Sequence, residues 1–246
     1  MQLSSIATAD NTFFESGGVN IHFVDEGRGT PVLLIHGYSA DIDRGWRNRG
    51  VIDGLISAGY RVVAYDNRGH GKSDKPHDKS EYGLEMVEDG RRLLDHLDID
   101  RAHVVGYSMG ARLANKLREL HPDRVISLTI GGTGWPAVPR TLTVEQIDKS
   151  LRDQGRRDES DPVALFAVRN SYPEVFGDES ELDKNEVPML VVIGEQDRPA
   201  RAEKLAEITS NARFKIVPGD HMAAPATPEY LEALLGFLGE HEPDRQ

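Results

Sequence analysis

The stretch VVGYSMGARLA, residues 104–114, decides how this chain is interpreted. Two valines lead into a serine that stands between two glycines at the spacing Gly-x-Ser-x-Gly, and a helix-like run follows. The small polar residue therefore stands where an apolar run turns into a helical one. Either the turn contains Ser108 incidentally, or the turn exists to present Ser108.

A strand, the Gly-x-Ser-x-Gly pattern and a helix, in this order, are typical of a nucleophile elbow. In such a turn the serine is strained, and side chains two residues before and after it would collide, so Gly106 and Gly110 fit. The turn lifts the hydroxyl clear of the sheet, and the following helix supplies its positive dipole end and the free N–H of Met109. Ser108 is therefore predicted to be a nucleophile, although the pattern alone also arises by chance.

The chain has 246 residues, of which 38% are hydrophobic and 28% are charged. This length and composition predict one domain with an insertion and a sizeable core. The formal net charge of −12 disfavours binding to nucleic acid or to anionic membranes, since both are negatively charged. The absence of cysteine excludes disulfides, thiolate metal sites and a cysteine nucleophile.

The N-terminal stretch MQLSSIATADNTFF has neither the basic region nor the apolar region of a secretory signal. No apolar run approaches the roughly 18 residues of a membrane span. We therefore expect a cytoplasmic protein that does not associate with membranes.

Short β-branched runs alternate with helix-like segments along most of the chain. Strands are predicted at 19–24, 31–37, 60–66, 102–108, 125–132, 187–197 and 212–221, and helices at 81–99, 143–154, 161–170, 200–209 and 228–239. Such an alternation is typical of a parallel sheet covered on both sides. An early hairpin at Gly17-Gly18 is expected to lead into it. The predicted fold class is α/β: a mostly parallel central sheet with helices on both faces and a small helical cap insertion.

Residues 136–186 differ from the rest of the chain because they are charged and lack a strand-like run. We interpret them as an insertion within one sheet, so the core domain comprises residues 1–135 and 187–246. A long surface excursion and a lid over a site both fit such a segment, and the positions of the motifs favour the lid. Its few apolar residues do not suggest a deep lipid tunnel.

Serine becomes a good nucleophile only when a base takes its proton. His221 lies after the last predicted strand, on a loop that emerges at the same edge of a parallel sheet as the elbow. Asp197 follows the next-to-last strand at that edge and is expected to orient His221, with Glu195 as a nearby competitor. The chain order Ser108, Asp197, His221 matches the order of hydrolase triads.

A tetrahedral intermediate also needs two N–H donors for its oxyanion. Met109 is expected to supply one of them. The loop that begins at Gly37 is expected to supply the other, from Tyr38, because glycine lets the backbone approach closely. His36 is expected to support this loop through local hydrogen bonds and not to react.

The stretch YDNRGHGKSD, residues 65–74, also follows a predicted strand. A metal or phosphate site is not favoured there, because the phosphate-loop spacing and paired histidines are missing. We predict a rigid hydrogen-bonded turn beside the site, with a contact between Asp66 and Arg68. Direct catalysis by His70 is not expected.

These motifs together resemble the α/β-hydrolase fold family over residues 19–239. The resemblance is carried by HGY, DNRGHGKSD, GYSMG, GEQD and GDHM, in that order. It is weakest in residues 136–186, which occupy the position of the variable cap of that family. Serine at the elbow argues against the epoxide-hydrolase and haloalkane-dehalogenase branches, which use an aspartate there.

The resemblance implies a role for each residue of the site and no cofactor or metal. The catalytic triad would be Ser108, Asp197 and His221, and the oxyanion hole would be the N–H groups of Tyr38 and Met109. Trp135 and Tyr107 are expected to contact the substrate, while packing under the insertion is the alternative for Trp135.

The expected activity is hydrolysis of a small carboxylic ester through an acyl-enzyme. The same triad could also hydrolyse lactones or C–C bonds, or carry out perhydrolysis. A catalytically inactive protein that binds a small molecule, and a lyase or cofactor-independent oxygenase, are the alternatives from other classes. The sequence predicts no nucleic-acid partner, and it leaves open whether the protein is a monomer or a homodimer.

Overall fold

The computed structural model describes residues 12–135, 142–157, 159–177 and 179–243. The chain enters the sheet through an antiparallel hairpin of β1 (Thr12–Ser16) and β2 (Val19–Gly27). Gly17 and Gly18 form its turn with φ angles of 58° and 83°, which glycine adopts without steric cost. This is the hairpin that the glycine pair predicted.

Eight strands form one sheet in the order β1-β2-β4-β3-β5-β6-β7-β8. The other six strands are β3 (Pro31–Ile35), β4 (Arg61–Tyr65), β5 (Ala102–Tyr107), β6 (Val125–Gly131), β7 (Met189–Gly194) and β8 (Ala212–Val217). β3 to β8 are parallel to one another, and β2 joins them antiparallel through β4. The predicted mostly parallel sheet is confirmed.

Helices cover both faces of the sheet. They are α1 (Ile42–Gly45), α2 (Val51–Ser57), α3 (Leu84–His96), α4 (Met109–Leu120), α5 (Val144–Asp153), α6 (Pro162–Ser171), α7 (Glu179–Asp183), α8 (Pro199–Ile208) and α9 (Pro228–Glu240). Alternate residues of β3 join different buried clusters, with Leu33 in one and Leu34 in the other. The first cluster includes α3, α4 and α8, and the second includes α2 and α9. The α/β fold class with helices on both faces is therefore confirmed.

The observed elements are shorter than several of the predicted ones. The strand predicted at 31–37 ends at Ile35, because the next residues turn out of the sheet at its carboxyl edge. The helix predicted at 81–99 begins at Leu84, because Gly83 has a φ of 64° and separates it from a 3₁₀ turn at Lys79–Glu81. The residues freed at the strand ends form the loops of the candidate site.

The segment between β6 and β7 contains α5, α6 and α7. The first two match the helices predicted at 143–154 and 161–170. Ile147 and Leu151 of α5 pack on Leu165 of α6 in a small buried cluster, against which Tyr38 also packs. The insertion is thus held against the loop that follows β3.

Candidate active site

The turn between β5 and α4 holds Ser108 in a strained conformation. Its φ is 57° and its ψ is −109°, a region that residues with a side chain rarely adopt. Its backbone N–H donates to the carbonyl of Gly131 at the end of β6, at 2.8 Å. The sheet therefore fixes the turn that carries the hydroxyl.

The two glycines of the motif are required by close packing of the backbone. A Cβ at Gly106 would collide with the carbonyl of Gly110, one turn further along the chain. A Cβ at Gly110 would collide with the carbonyl of Ile35 at the end of β3. The elbow accordingly lies where three segments of backbone meet without side chains between them.

Ser108, His221 and Asp197 come together at this edge of the sheet. Ser108 Oγ lies 3.0 Å from His221 Nε2, and His221 Nδ1 lies 2.5 Å from Asp197 Oδ2. The carboxylate can only accept, so Nδ1 carries the proton and Nε2 is free to accept from the serine hydroxyl. Glu195, the competitor to Asp197, has an exposed side chain.

The His221 side chain is 40% exposed, and the backbone around it is fixed from two sides. Asp220 accepts from the N–H groups of Met222 and Ala223, both at 2.9 Å, and these bonds lower the pKa of its carboxyl. Tyr107 donates its hydroxyl to the His221 carbonyl at 2.8 Å, and its ring lies 5.4 Å from the imidazole. Sequence reasoning missed the role of Asp220, which the Asp-x-x spacing of an Asx turn could have indicated.

The backbone near Ser108 provides the expected donors. Gly37 lies so close that a Cβ there would be 3.3 Å from Ser108 Cβ, which places the following residue, Tyr38, beside the hydroxyl. Met109 is the first residue of α4, so its N–H has no acceptor within the helix. Binding of an oxyanion by the N–H groups of Tyr38 and Met109 stays a prediction.

His36 supports the Gly37 loop, as the sequence predicted. Its Nε2 accepts from the N–H of Asn67 at 3.0 Å, so its Nδ1 is protonated and donates to the Gly37 carbonyl at 2.8 Å. Burial lowers the pKa of His36 and keeps the ring neutral, although the Asp66 carboxylate opposes this effect. The ring connects two loops at the edge of the sheet.

The predicted contact between Asp66 and Arg68 is wrong. Asp66 lies 2.9 Å from His22 Nδ1 and accepts the N–H of Ile42 at 2.8 Å. Arg68 points the other way, and its Nη2 lies 2.6 Å from Asp89 on α3, in a pair whose side chains are both fully buried. The turn places the two side chains on opposite sides, so each finds a partner on a different element.

His70, in the same turn, is buried, and burial lowers its pKa to about 3. It donates from Nδ1 to the Arg68 carbonyl at 3.1 Å. This neutral ring packs at 6.0 Å from the Tyr38 ring and at 5.3 Å from His36. The turn is therefore the rigid, hydrogen-bonded structure that the sequence predicted.

The two predicted substrate contacts lie in different surroundings. Trp135 is half-buried and lines a cavity of about 30 Å³ together with Arg112 and Phe176. Tyr107 is 8% exposed and directs its hydroxyl to the His221 loop. Contact with substrate stays a prediction for both residues.

The described ranges 12–135, 142–157, 159–177 and 179–243 contain neither a candidate metal site nor a membrane-spanning helix. In these ranges, no group of three or more His, Asp or Glu side chains is arranged to hold a metal ion. No helix in the same ranges is long and apolar enough to span a bilayer. A cleft of about 1300 Å³ lies elsewhere, between charged side chains such as Arg44, Lys75 and Glu159.

The chain is similar to several known proteins. It is 34% identical over 164 residues to an epoxide hydrolase from Caballeronia sordidicola, covering 66% of this chain and 47% of that protein. It is 28% identical over 279 residues to a non-heme chloroperoxidase from Streptomyces lividans, covering 92% and 99% of the two chains. The structure of Est816, described as an N-acyl homoserine lactone degrading enzyme, aligns with a TM-score of 0.76 and 26% identity, over 92% of this chain and 100% of that one.

The chain spans less than half of the length of several curated relatives that it matches. A family model described as alpha/beta hydrolase fold matches residues 30–167, which include the elbow and the Gly37 loop. The sheet order, the strained serine turn and this match agree. The chain belongs to the alpha/beta hydrolase fold family.

Proposed function

We propose that the protein is a serine hydrolase that cleaves a small carboxylic ester through an acyl-enzyme intermediate. One observation carries this proposal: the continuous hydrogen-bonded chain from Ser108 Oγ through His221 to Asp197, with distances of 3.0 and 2.5 Å. A hydroxyl, a base and a carboxylate in this relation are the parts that acyl transfer to serine requires.

The first half of the reaction forms the acyl-enzyme. Ser108 Oγ attacks the ester carbonyl carbon while His221 Nε2 takes the hydroxyl proton, and Asp197 stabilises the resulting imidazolium. The N–H groups of Tyr38 and Met109 donate to the oxyanion of the tetrahedral intermediate. His221 then gives its proton to the leaving alkoxide, the C–O bond breaks, and the alcohol departs.

The second half returns the enzyme to its starting state. His221 takes a proton from water, and the hydroxide attacks the acyl carbonyl carbon. The second tetrahedral intermediate collapses as the bond to Ser108 breaks, and His221 returns the proton to the serine oxygen. The products are one carboxylic acid and one alcohol for each ester and water consumed.

A lactone is a cyclic ester and passes through the same steps, so it is the second candidate substrate. The 26% identity to an N-acyl homoserine lactone degrading enzyme favours it. The name of the epoxide hydrolase relative does not favour epoxides here, because the elbow residue of this chain is serine. C–C bond hydrolysis and perhydrolysis are compatible with the same three side chains.

We also propose that the insertion acts as a lid on the core domain formed by residues 1–135 and 187–246. Tyr38 donates its hydroxyl to the Leu165 carbonyl of α6 at 3.1 Å, and His77 lies 2.8 Å from Asp161 at the start of that helix. The first of these contacts joins the insertion directly to the loop that would hold the oxyanion. The sequence-based expectation of a cytoplasmic location stays a prediction.

The test compares Ser108→Ala with the parent protein on p-nitrophenyl esters of increasing chain length and on lactones. We expect turnover to fall by about 10⁴-fold or more, because among the described residues only the Ser108 hydroxyl lies within hydrogen-bond distance of His221 Nε2. Ser150→Ala, on the exposed surface of α5, is the matched control and should keep full activity.

A fluorophosphonate probe distinguishes an enzyme from an inactive binding protein on the same fold. The probe should label the parent protein at Ser108 and should not label Ser108→Ala. Esterase activity retained in purified Ser108→Ala protein would disprove the assignment. An unlabelled parent protein would favour the binding protein.

A further inference from the structure

Arg112 follows Ser108 by four residues, so the two residues lie on the same face of the chain at the start of α4. Its guanidinium carbon lies 5.6 Å from the centre of the Tyr172 ring and 5.3 Å from that of Phe176. Both rings belong to the insertion. Arg112 therefore contacts the insertion from the first turns of the helix that follows the nucleophile.

A second guanidinium continues this arrangement towards the oxyanion loop. The guanidinium carbon of Arg169, on α6, lies 5.7 Å from the Tyr172 ring and 4.9 Å from the Tyr38 ring. Cations and rings thus alternate from Phe176 through Arg112, Tyr172 and Arg169 to Tyr38. Two positive charges are therefore held in one row of side chains, which ends at Tyr38, the residue after Gly37.

Arg112 has no anionic partner among the residues that the structure describes. Its Nε is buried and makes no hydrogen bond, and no described carboxylate lies within 4.0 Å of it. Arg68, by contrast, is also buried but lies 2.6 Å from Asp89. Burial lowers the pKa of Arg112, and the positive charges of Arg169 and Arg201 lower it further.

Such a cation is costly to bury unless an anion joins it. The rings of Tyr172 and Phe176 attract the Arg112 guanidinium through their π electrons and not through hydrogen bonds. A guanidinium that packs on a ring therefore keeps its in-plane N–H donors for a carboxylate. The chain has 41 acidic residues, yet none of those that the structure describes pairs with the half-buried Arg112. Its positive charge is therefore available to the anionic group of an external ligand.

A cavity adjoins this cation. It has a volume of about 30 Å³ and is lined by Arg112, Asn115, Thr133, Trp135 and Phe176, among others. This is room for about two water molecules, or for one small planar group. Arg112, Asn115 and Thr133 bring polar groups to it, while Trp135 and Phe176 contribute two aromatic rings.

We propose that Arg112 binds a carboxylate of the substrate, so that the preferred substrate is an ester whose acyl part ends in a carboxylate, a half-ester of a short dicarboxylic acid. This inference rests on the proposed function, because Ser108 must attack the ester. Succinyl and glutaryl esters, with two or three methylenes between the ester carbonyl and the carboxylate, are the simplest members of this class.

The test compares an anionic and a neutral ester of similar length, mono-p-nitrophenyl glutarate and p-nitrophenyl valerate, in the parent protein, Arg112→Met and Arg112→Lys. We expect the parent protein to prefer the glutarate ester. Arg112→Met should lower kcat/KM for the glutarate ester by about 10- to 100-fold, and kcat/KM for the valerate ester should stay within about threefold of the parent value. Only the glutarate ester has a carboxylate that loses charge-assisted hydrogen bonds.

Two variants control for charge and folding. Lys204→Met removes one exposed positive charge on α8 and should leave kcat/KM for both esters unchanged. Arg112→Lys keeps the charge and should recover part of the preference for the glutarate ester. Circular dichroism and thermal unfolding show whether Arg112→Met keeps the fold.

An equal loss for both esters in Arg112→Met would overturn the proposal, because the arginine would then act only on the structure. A parent protein that prefers the neutral ester would also overturn it. Glutarate binding to Ser108→Ala, measured by calorimetry, separates this inference from the proposed function. If glutarate binds to Ser108→Ala and adding Arg112→Met abolishes this binding, the carboxylate site is supported even where neither ester is hydrolysed. Undetectable glutarate binding to Ser108→Ala counts against the site.

Discussion

The elbow edge of the sheet and the insertion above it are stabilised in different ways. At the elbow edge, backbone packs on backbone: Gly110 lies against the Ile35 carbonyl, and Ser108 bonds to Gly131. In the insertion, many contacts join exposed side chains of the same helix, as in the pair of Lys149 and Asp153. The elbow edge allows few substitutions, whereas the insertion tolerates many.

This difference separates the chemistry from its selectivity. The reacting groups are fixed by turns that the sheet itself defines, and their spacing does not depend on the insertion. The proposed substrate wall, by contrast, would be built from long side chains such as Arg112 and Tyr172, which meet across separate segments. Substitutions at the elbow edge should therefore abolish the reaction, and those in the insertion should change the substrate or very little.

After Ser108→Ala, the largest effect is expected at Asp197. Asp197→Asn should lower kcat by about 10⁴-fold, because an amide cannot hold His221 in the tautomer that accepts the serine proton or stabilise its charged form. Ester assays at saturating substrate measure this change. The fold should be unaffected, since asparagine has nearly the same size and shape as aspartate.

Glu195→Gln is the matched control for this carboxylate. Glu195 stands two residues earlier on the same loop and points to solvent. Its substitution should leave kcat within about twofold. If Glu195→Gln and Asp197→Asn lowered kcat equally, the assignment of the orienting carboxylate would be wrong.

The next effect is on folding and compares one glycine from each region. Gly110→Ala places a methyl group against the Ile35 carbonyl, and the neighbouring backbone has no room to yield. We expect it to lower the free energy of unfolding by at least about 3 kcal/mol. Urea denaturation followed by circular dichroism measures the loss.

Gly155→Ala in the insertion is the corresponding control. An added Cβ at Gly155 meets no atom within 4 Å, but the residue has a φ of 65°. The cost should therefore be the conformational penalty alone, about 1 kcal/mol. Equal losses for the two variants would mean that backbone packing does not set the elbow apart.

Most of the fold and the three aligned side chains could be predicted from the sequence, for a local reason. In a parallel sheet the carboxyl ends of the strands lie at one edge. Ser108, Asp197 and His221 each follow such a strand end, so the sequence already predicted that they lie close together. The glycines of the elbow have the same local origin, since the collisions that they avoid occur within one turn or against the adjacent strand.

The contacts of long side chains could not be predicted in the same way. Arg68 could reach either Asp66 or α3, and only the three-dimensional course of the turn shows that it reaches Asp89. Arg112 stands in the quoted opening stretch, yet its surroundings depend on Tyr172 and Phe176, about 60 residues later. Nothing in the local pattern indicates which of several arginines will lack a carboxylate.

Acid should affect the core and the insertion unequally, because residues 142–186 contain no histidine. His103 is buried on β5, and burial lowers its pKa from 6.5 to about 4. Below pH 6.5 the unfolded chain binds a proton that the folded protein does not. The stability contributed by the neutral ring is therefore fully present above pH 6.5 and is lost as the pH falls towards 4, by about 1.4 kcal/mol per pH unit.

Urea unfolding of the parent protein and His103→Gln between pH 7 and pH 4 measures this term. The variant should be less stable at pH 7, because the bond from His103 to Ser127, 2.7 Å long, is lost. Its stability should then fall less steeply with decreasing pH than that of the parent protein. Parallel curves would show that His103 does not carry this part of the acid sensitivity.

The smallest effect is expected in the insertion. Lys149 lies 2.6 Å from Asp153 one turn further along α5, but the two side chains are 75% and 62% exposed, so water screens their attraction. Lys149→Ala should change the free energy of unfolding by at most about 0.5 kcal/mol, and alanine's helix propensity offsets part of that loss. Activity on a neutral ester should not change. A loss above 2 kcal/mol in urea denaturation would mean that surface pairs of the insertion support the whole fold, and the contrast with the elbow edge would fail.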